Sequence, residues 1–79
     1  KKGTKLNLVK YAPALKKAKF SIGEDSQYIT VNKKGVVSIK KKKDYVYGYV
    51  IATLNKKEYN IRIMGFYQHA DLAVSGRIY

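Results

Sequence analysis

The sequence has no cysteine, no tryptophan, one proline, one histidine and only five acidic residues among 79. Each scarcity closes off some chemistry. Without cysteine there are no disulfides and no thiolate metal sites, so stability rests on packing. His69 lies near Asp71, but no second histidine, cysteine or serine elbow accompanies it. A metal site or a hydrolytic triad needs such partners. Glu24 and Asp25 are adjacent in a turn, yet calcium asks for about 6–8 oxygen ligands and this chain is acid-poor. Gly35 and Gly48 belong to no glycine-rich phosphate loop. The expectation is a protein with no catalytic residues, no cofactor and no metal. No apolar run approaches the roughly 18 residues of a membrane span, and no signal peptide is visible. A piece of a longer exported protein would show neither, so the compartment stays open on these grounds.

What is present is positive charge and β-patterned apolar residues. The net charge is +12, from 17 Lys+Arg against 5 Asp+Glu. Arg62 and Arg77 are the only arginines, so 15 of the 17 are lysine. Base and phosphate recognition favours the bidentate arginine fork, whereas lysine is a mobile point charge. Specific nucleic-acid binding is therefore not expected. A lysine surface still attracts polyanions without sequence preference, in a way that salt weakens. The hydrophobic fraction of 46% is that of an ordinary globular domain.

Tyr28 to Ile39 holds the clearest local signal. Two short alternating segments flank the polar turn Asn32-Lys33-Lys34-Gly35, in which Gly35 is free to adopt positive φ. This predicts a β-hairpin. Leu6-Asn7-Leu8 reads as an earlier strand, ended by Pro13. Tyr11 to Lys17 reads as a loop or crossover with room for one helical turn. Ala18, Phe20 and Ile22 alternate with Lys17, Lys19 and Ser21, which predicts a half-buried strand. Gly23-Glu24-Asp25-Ser26 is turn chemistry. Tyr45 to Leu54 is the longest strand, with Val46, Gly48, Val50, Ala52 and Leu54 on one face. Tyr45, Tyr47, Tyr49, Ile51 and Thr53 take the other. A turn at Asn55 to Glu58 leads to a strand in which Tyr59, Ile61 and Ile63 alternate with Asn60, Arg62 and Met64. Turns recur about every ten residues without helical periodicity, so an antiparallel β-sandwich is expected. Its core would comprise Leu6, Leu8, Phe20, Ile29, Val31, Val37, Ile39, Val50, Ala52, Ile61 and Ile63.

Several of these pieces resemble the bacterial immunoglobulin-like domains of group 2, found in invasin- and intimin-like surface proteins. The resemblance runs from Gly3 to about Ile63. It rests on Gly3-Thr4-Lys5-Leu6-Asn7-Leu8, Ser26 to Val31, the Asn32 to Val37 turn, Val50-Ile51-Ala52-Thr53, and Tyr59 to Ile63. The turn with its Gly-Val-Val is the most specific part. The chain departs from the family where Phe20 replaces the usual tryptophan, Ile29 a small alanine, and Val46 a glycine. The family's strand before Gly3 is also absent. The resemblance implies an all-β immunoglobulin-like sandwich lacking or replacing its first strand. Residues 1–65 would form the domain, and 66–79 a tail serving as an extra or exchanged strand, with Asp71 to Tyr79 supplying it within the chain or to a neighbour. It further implies a non-enzymatic module of an extracellular or cell-surface bacterial protein, acting as a spacer or an adhesive domain. Its partners would be neighbouring modules of the same kind and an anionic wall polymer or a host glycan or protein.

Two features are the candidate contact site. The run Lys40, Lys41, Lys42 and Lys43 could hold a phosphate-rich polymer, or be a solvated loop. Tyr45, Tyr47 and Tyr49 form a stripe at strand spacing, able to stack on sugars or bases, or to cover one sheet face under lysine stems. Two other readings stay open. One is a small basic barrel that binds nucleic acid or other polyanions. The other is a decoration module of a phage virion. Where the lysines fall discriminates among them: a basic face around the tyrosines favours polyanion binding, and an even scatter favours a spacer.

Overall fold

The hairpin between Tyr28 and Ile39 forms as its alternation predicts. In the computed structural model, which describes residues 5–40, 44–66 and 72–75, strand β3 (Ile29–Val31) pairs antiparallel with β4 (Val36–Ile39), placing Ile29 opposite Ile39 and Val31 opposite Val37. The Asn32 side chain closes the turn, its Oδ1 accepting from the N–H of Lys34 at 2.8 Å and of Val36 at 3.0 Å. Gly35 takes φ +82, a conformation that an L side chain rarely adopts. This is a three-residue hairpin loop with its glycine in the bulge position.

Strand β1 (Lys5–Asn7) pairs with β4 from the other side, completing a three-stranded sheet of order β1-β4-β3. Leu8, expected to end that strand, instead opens a single helical turn, α1 (Leu8–Tyr11). Asn7 causes the switch, since its side chain accepts from the N–H of Val9 at 3.0 Å and of Lys10 at 3.3 Å as an N-cap. Pro13 then starts a 3-10 helix (Pro13–Lys17) at the position where its missing N–H costs nothing. The buried Leu15 of this helix joins the core.

The second sheet has the order β2-β5-β6-β7. It comprises β2 (Lys19–Ile22), β5 (Tyr45–Leu54), β6 (Lys57–Phe66) and β7 (Ala73–Val74). The β5–β6 hairpin turns on two residues only, Asn55 and Lys56, both at positive φ. Positive φ at both central positions marks a type I′ turn. The turn is thus shorter than the expected Asn55 to Glu58. Strand β6 also continues through Gly65, which is buried opposite Val46, to Phe66 opposite Tyr45. Ala73–Val74 lies in the tail segment expected to supply a strand, and it pairs antiparallel with Ile63 and Met64.

The two antiparallel sheets pack face to face as an all-β sandwich. Among the described residues, β1-β4-β3 against β2-β5-β6 follows the order BED against CFG of an immunoglobulin-type sandwich, with β7 added beside β6. The core contains Leu8, Ile29, Val37, Val50, Ala52, Ile61 and Ile63 as expected, together with Leu15, Ala18, Val46 and Leu72. Leu6, Phe20, Val31 and Ile39 are only half-buried, at the margins of that core. Ile22, at the end of β2, is exposed rather than half-buried.

Phe20 has a specific margin role. A Cβ on Gly35 would lie 2.8 Å from its ring, so the ring of one sheet sits against the turn of the other. This contact places the start of β4 and the end of β5 at the same end of the sandwich.

Candidate functional site

Because β5 faces alternate, Val46, Gly48, Val50 and Ala52 fill the interior while Tyr45, Tyr47 and Tyr49 point outward. The three tyrosines are 37%, 39% and 40% exposed, so the core is complete without their rings. Register sets their neighbours on β6: Phe66 opposite Tyr45, Met64 opposite Tyr47, Arg62 opposite Tyr49 and Asn60 opposite Ile51. The rings touch one another. Tyr45 lies 5.3 Å from Phe66 and 5.8 Å from Tyr47 by ring centroids, and Tyr28 meets Tyr47 edge-on at 5.4 Å. Such offset and edge contacts fix rings that would otherwise be mobile.

Tyr49 stands apart from these ring pairs and is held by its backbone. Its C=O accepts from the Gly23 N–H at 2.8 Å, and its N–H donates to the Ser26 hydroxyl at 2.7 Å. That hydroxyl in turn donates to the Glu24 C=O at 2.8 Å. Ser26 is buried, so this one side chain ties the acidic turn to β5. Gly23 allows the approach: a Cβ there would lie 3.0 Å from the Tyr49 Cβ. Asp25 turns the loop at φ 53, a left-handed conformation that aspartate tolerates better than most residues.

The result is an open groove of about 420 Å³ lined by Gly23, Glu24, Asp25, Tyr49, Ile51 and Asn60. Tyr49 and Ile51 supply an apolar wall. Glu24, Asp25 and the Asn60 amide supply hydrogen-bonding groups at its rim. A ring with an apolar face and polar hydroxyl edges fits this combination, whereas a phosphate would meet two carboxylates.

Lys40 does not join the tyrosine face. It is exposed at the end of β4, its N–H donating to the Tyr28 C=O at 2.7 Å, and it lines a second hollow with Gly23, Asp25, Ser26 and Ile29, on the other side of the acidic turn. Lys41, Lys42 and Lys43 lie outside the described residues, as do His69 and Asp71. Among the described residues, the outward positions of this sheet carry positive charge only at Arg62 and, beside Thr53, at Lys19. The basic face around the tyrosines, the arrangement that would favour polyanion binding there, is therefore not seen among these residues. No group of three or more His, Cys, Asp or Glu suited to a metal ion occurs among them either.

The sequence places the three tyrosines on one face of their strand, and the structure turns that face outward. Sequence reading missed Glu24, Asp25 and Asn60 as their companions. The signal for Asn60 was present in the strand parity, but using it required the turn length that sets the register. Comparison with protein-family models, with characterised proteins and with solved structures finds no match to this chain.

Proposed function

We propose that this chain is a non-enzymatic, immunoglobulin-like module of a bacterial cell-surface protein that contacts carbohydrate through the outer face of its four-stranded sheet. The observation that carries the reading is the groove in which exposed Tyr49 stands between a carboxylate-bearing turn and Asn60. Sugar rings stack their C–H faces on aromatic side chains, and their hydroxyls pair with carboxylates and amides. The turn is anchored in advance by Ser26, so binding loses little freedom there. The row Tyr47, Tyr45 and Phe66 extends the platform along the strand for further sugar units. The bacterial surface role is supported by the resemblance in the Asn32 to Val37 turn and by the sandwich strand order.

The test is a titration of the protein with neutral oligosaccharides of glucan, galactan and chitin type, followed by backbone amide NMR. Gly23, Tyr49 and Asn60 are expected to shift with at least one sugar at millimolar concentration. Tyr49→Ser and Asp25→Asn should abolish that shift while leaving the dispersed spectrum of the fold intact. No shift at these amides with any of the sugars would sink the proposal.

A further inference from the structure

Among the described residues, lysines gather at one end of the sandwich. Topology brings three chain reversals to the end where β4 begins and β5 finishes. The β3–β4 turn presents Lys33 and Lys34, and the β5–β6 turn presents Lys56. The helical connection presents Lys10, Lys16 and Lys17. These segments are physically adjacent. Leu8 donates its N–H to the Gly35 C=O at 2.9 Å, which seats α1 on the first turn. Lys16, Lys17, Leu54 and Asn55 line one hollow, which sets the 3-10 helix beside the second turn. All six lysines are exposed. Of the described acids, Glu58 alone is near this end, opposite Thr53.

Lys56 stands at the tip of its turn. It occupies φ 66 in a two-residue turn, where glycine would be unstrained.

We infer that this lysine pole docks end-on against an anionic lipid surface. The charge pattern favours a surface over a chain-like polyanion. The lysines sit on separate tips across an end whose cross-section is about 24 × 21 Å, given that the 36 Å extent matches the roughly 33 Å length of the ten-residue strands. No arginine is present at this end among the described residues to fork onto a phosphodiester track. Flexible, hydrated lysines suit a diffuse plane of headgroups that meets every tip at once. Tyr11, 53% exposed at the end of α1, offers an apolar ring with a wet hydroxyl, the side chain suited to a headgroup layer.

The experiment is co-sedimentation of the whole chain with vesicles of phosphatidylcholine alone and with 30 mol% phosphatidylglycerol (about that composition being ample for an anionic surface). Binding is expected only to the anionic vesicles and should fall as salt rises. Each pole lysine should contribute about fivefold in partitioning, so Lys16→Gln/Lys17→Gln and Lys33→Gln/Lys34→Gln should each lower it by roughly 25-fold. The control pair Lys5→Gln/Lys40→Gln removes the same charge away from the pole and should change it by about twofold at most. Circular dichroism confirms that each variant is folded. The chain has no tryptophan, so Tyr11→Trp and Tyr49→Trp report orientation. Only the Tyr11 probe should shift to the blue with anionic vesicles. Equal losses from the control pair, a blue shift at the Tyr49 probe, or tighter binding to single-stranded DNA or heparin than to the vesicles would each overturn the inference.

Discussion

Replacing Ser26 by alanine tests whether one hydroxyl holds the candidate groove. The side chain is 4% exposed, and its oxygen serves two backbone groups, donating to the Glu24 C=O at 2.8 Å and accepting the Tyr49 N–H at 2.7 Å. Alanine removes little volume, and nothing larger fits, because a Cβ on Gly48 would already lie 2.9 Å from the Ser26 Cβ. The cost is therefore polar. A buried group left without a partner costs about 1–3 kcal/mol. Glu24 is exposed, so water can replace its lost donor, while the Tyr49 N–H points into the space beneath the turn. The expected loss is about 1.5–3 kcal/mol. For a domain of this size that lowers Tm by roughly 6–24 °C. Urea titration followed by far-UV circular dichroism measures it directly, with an unchanged m-value showing that the unfolded state is the same. The same variant should weaken sugar binding, since Glu24 and Asp25 lose their tie to β5. A stability change below about 0.5 kcal/mol, with sugar affinity retained, would refute both the accounting and the claim of an anchored groove.

Two further substitutions probe the hairpins. Gly35→Ala places a Cβ at φ +82 and 2.8 Å from the Phe20 ring, so a loss of about 2–4 kcal/mol is expected. Adding Phe20→Leu should return the steric share, and strict additivity in that double-mutant cycle would deny the contact. Lys56→Gly relieves a left-handed lysine worth about 1–2 kcal/mol, against about 0.5–1 kcal/mol of added chain entropy. A net gain of about 0.5–1 kcal/mol by urea titration is expected, and a loss would show that the Lys56 side chain makes stabilising contacts.

Much of the architecture was legible because one face of each strand is buried and the other is not. The period-two pattern of Tyr45 to Leu54 sorts its residues into two faces, and Asn32 with Gly35 gives the first hairpin. What failed was register. Reading the second turn as Asn55 to Glu58 would set Leu54 opposite Tyr59 and bring Arg62 beside Ile51. The two-residue turn instead sets Leu54 opposite Lys57 and brings Asn60 there. A shift of two residues keeps every side chain on its face, so apolar patterning cannot detect it. The candidate groove depends on that register, and on a hydroxyl bond across 23 positions of sequence that no local pattern encodes. Leu15 and Leu72 were missed as core residues because they lie outside the regular alternation, in a 3-10 helix and just before β7.

Among the described residues, the tyrosine row and the lysine cluster occupy different parts of the sandwich, with a physical consequence for the two contacts proposed. Stacking on Tyr49 and hydrogen bonding to the acidic turn involve no net charge neutralisation, so they are insensitive to salt. Docking through the lysine pole is a sum of exposed charges, which screening at a Debye length of about 8 Å weakens strongly. The geometry keeps the contacts from competing. The pole faces along the strands, whereas the tyrosine rings project from the sheet at right angles to them. A module resting on its pole therefore holds Tyr49, five residues back from the Leu54 end of its strand, roughly 16 Å along the strand from that end. At that height a glycan lying across the sheet need not displace the headgroups beneath. Raising the salt should thus release the module from lipid while leaving sugar bound, which a single shared polyanion site could not do.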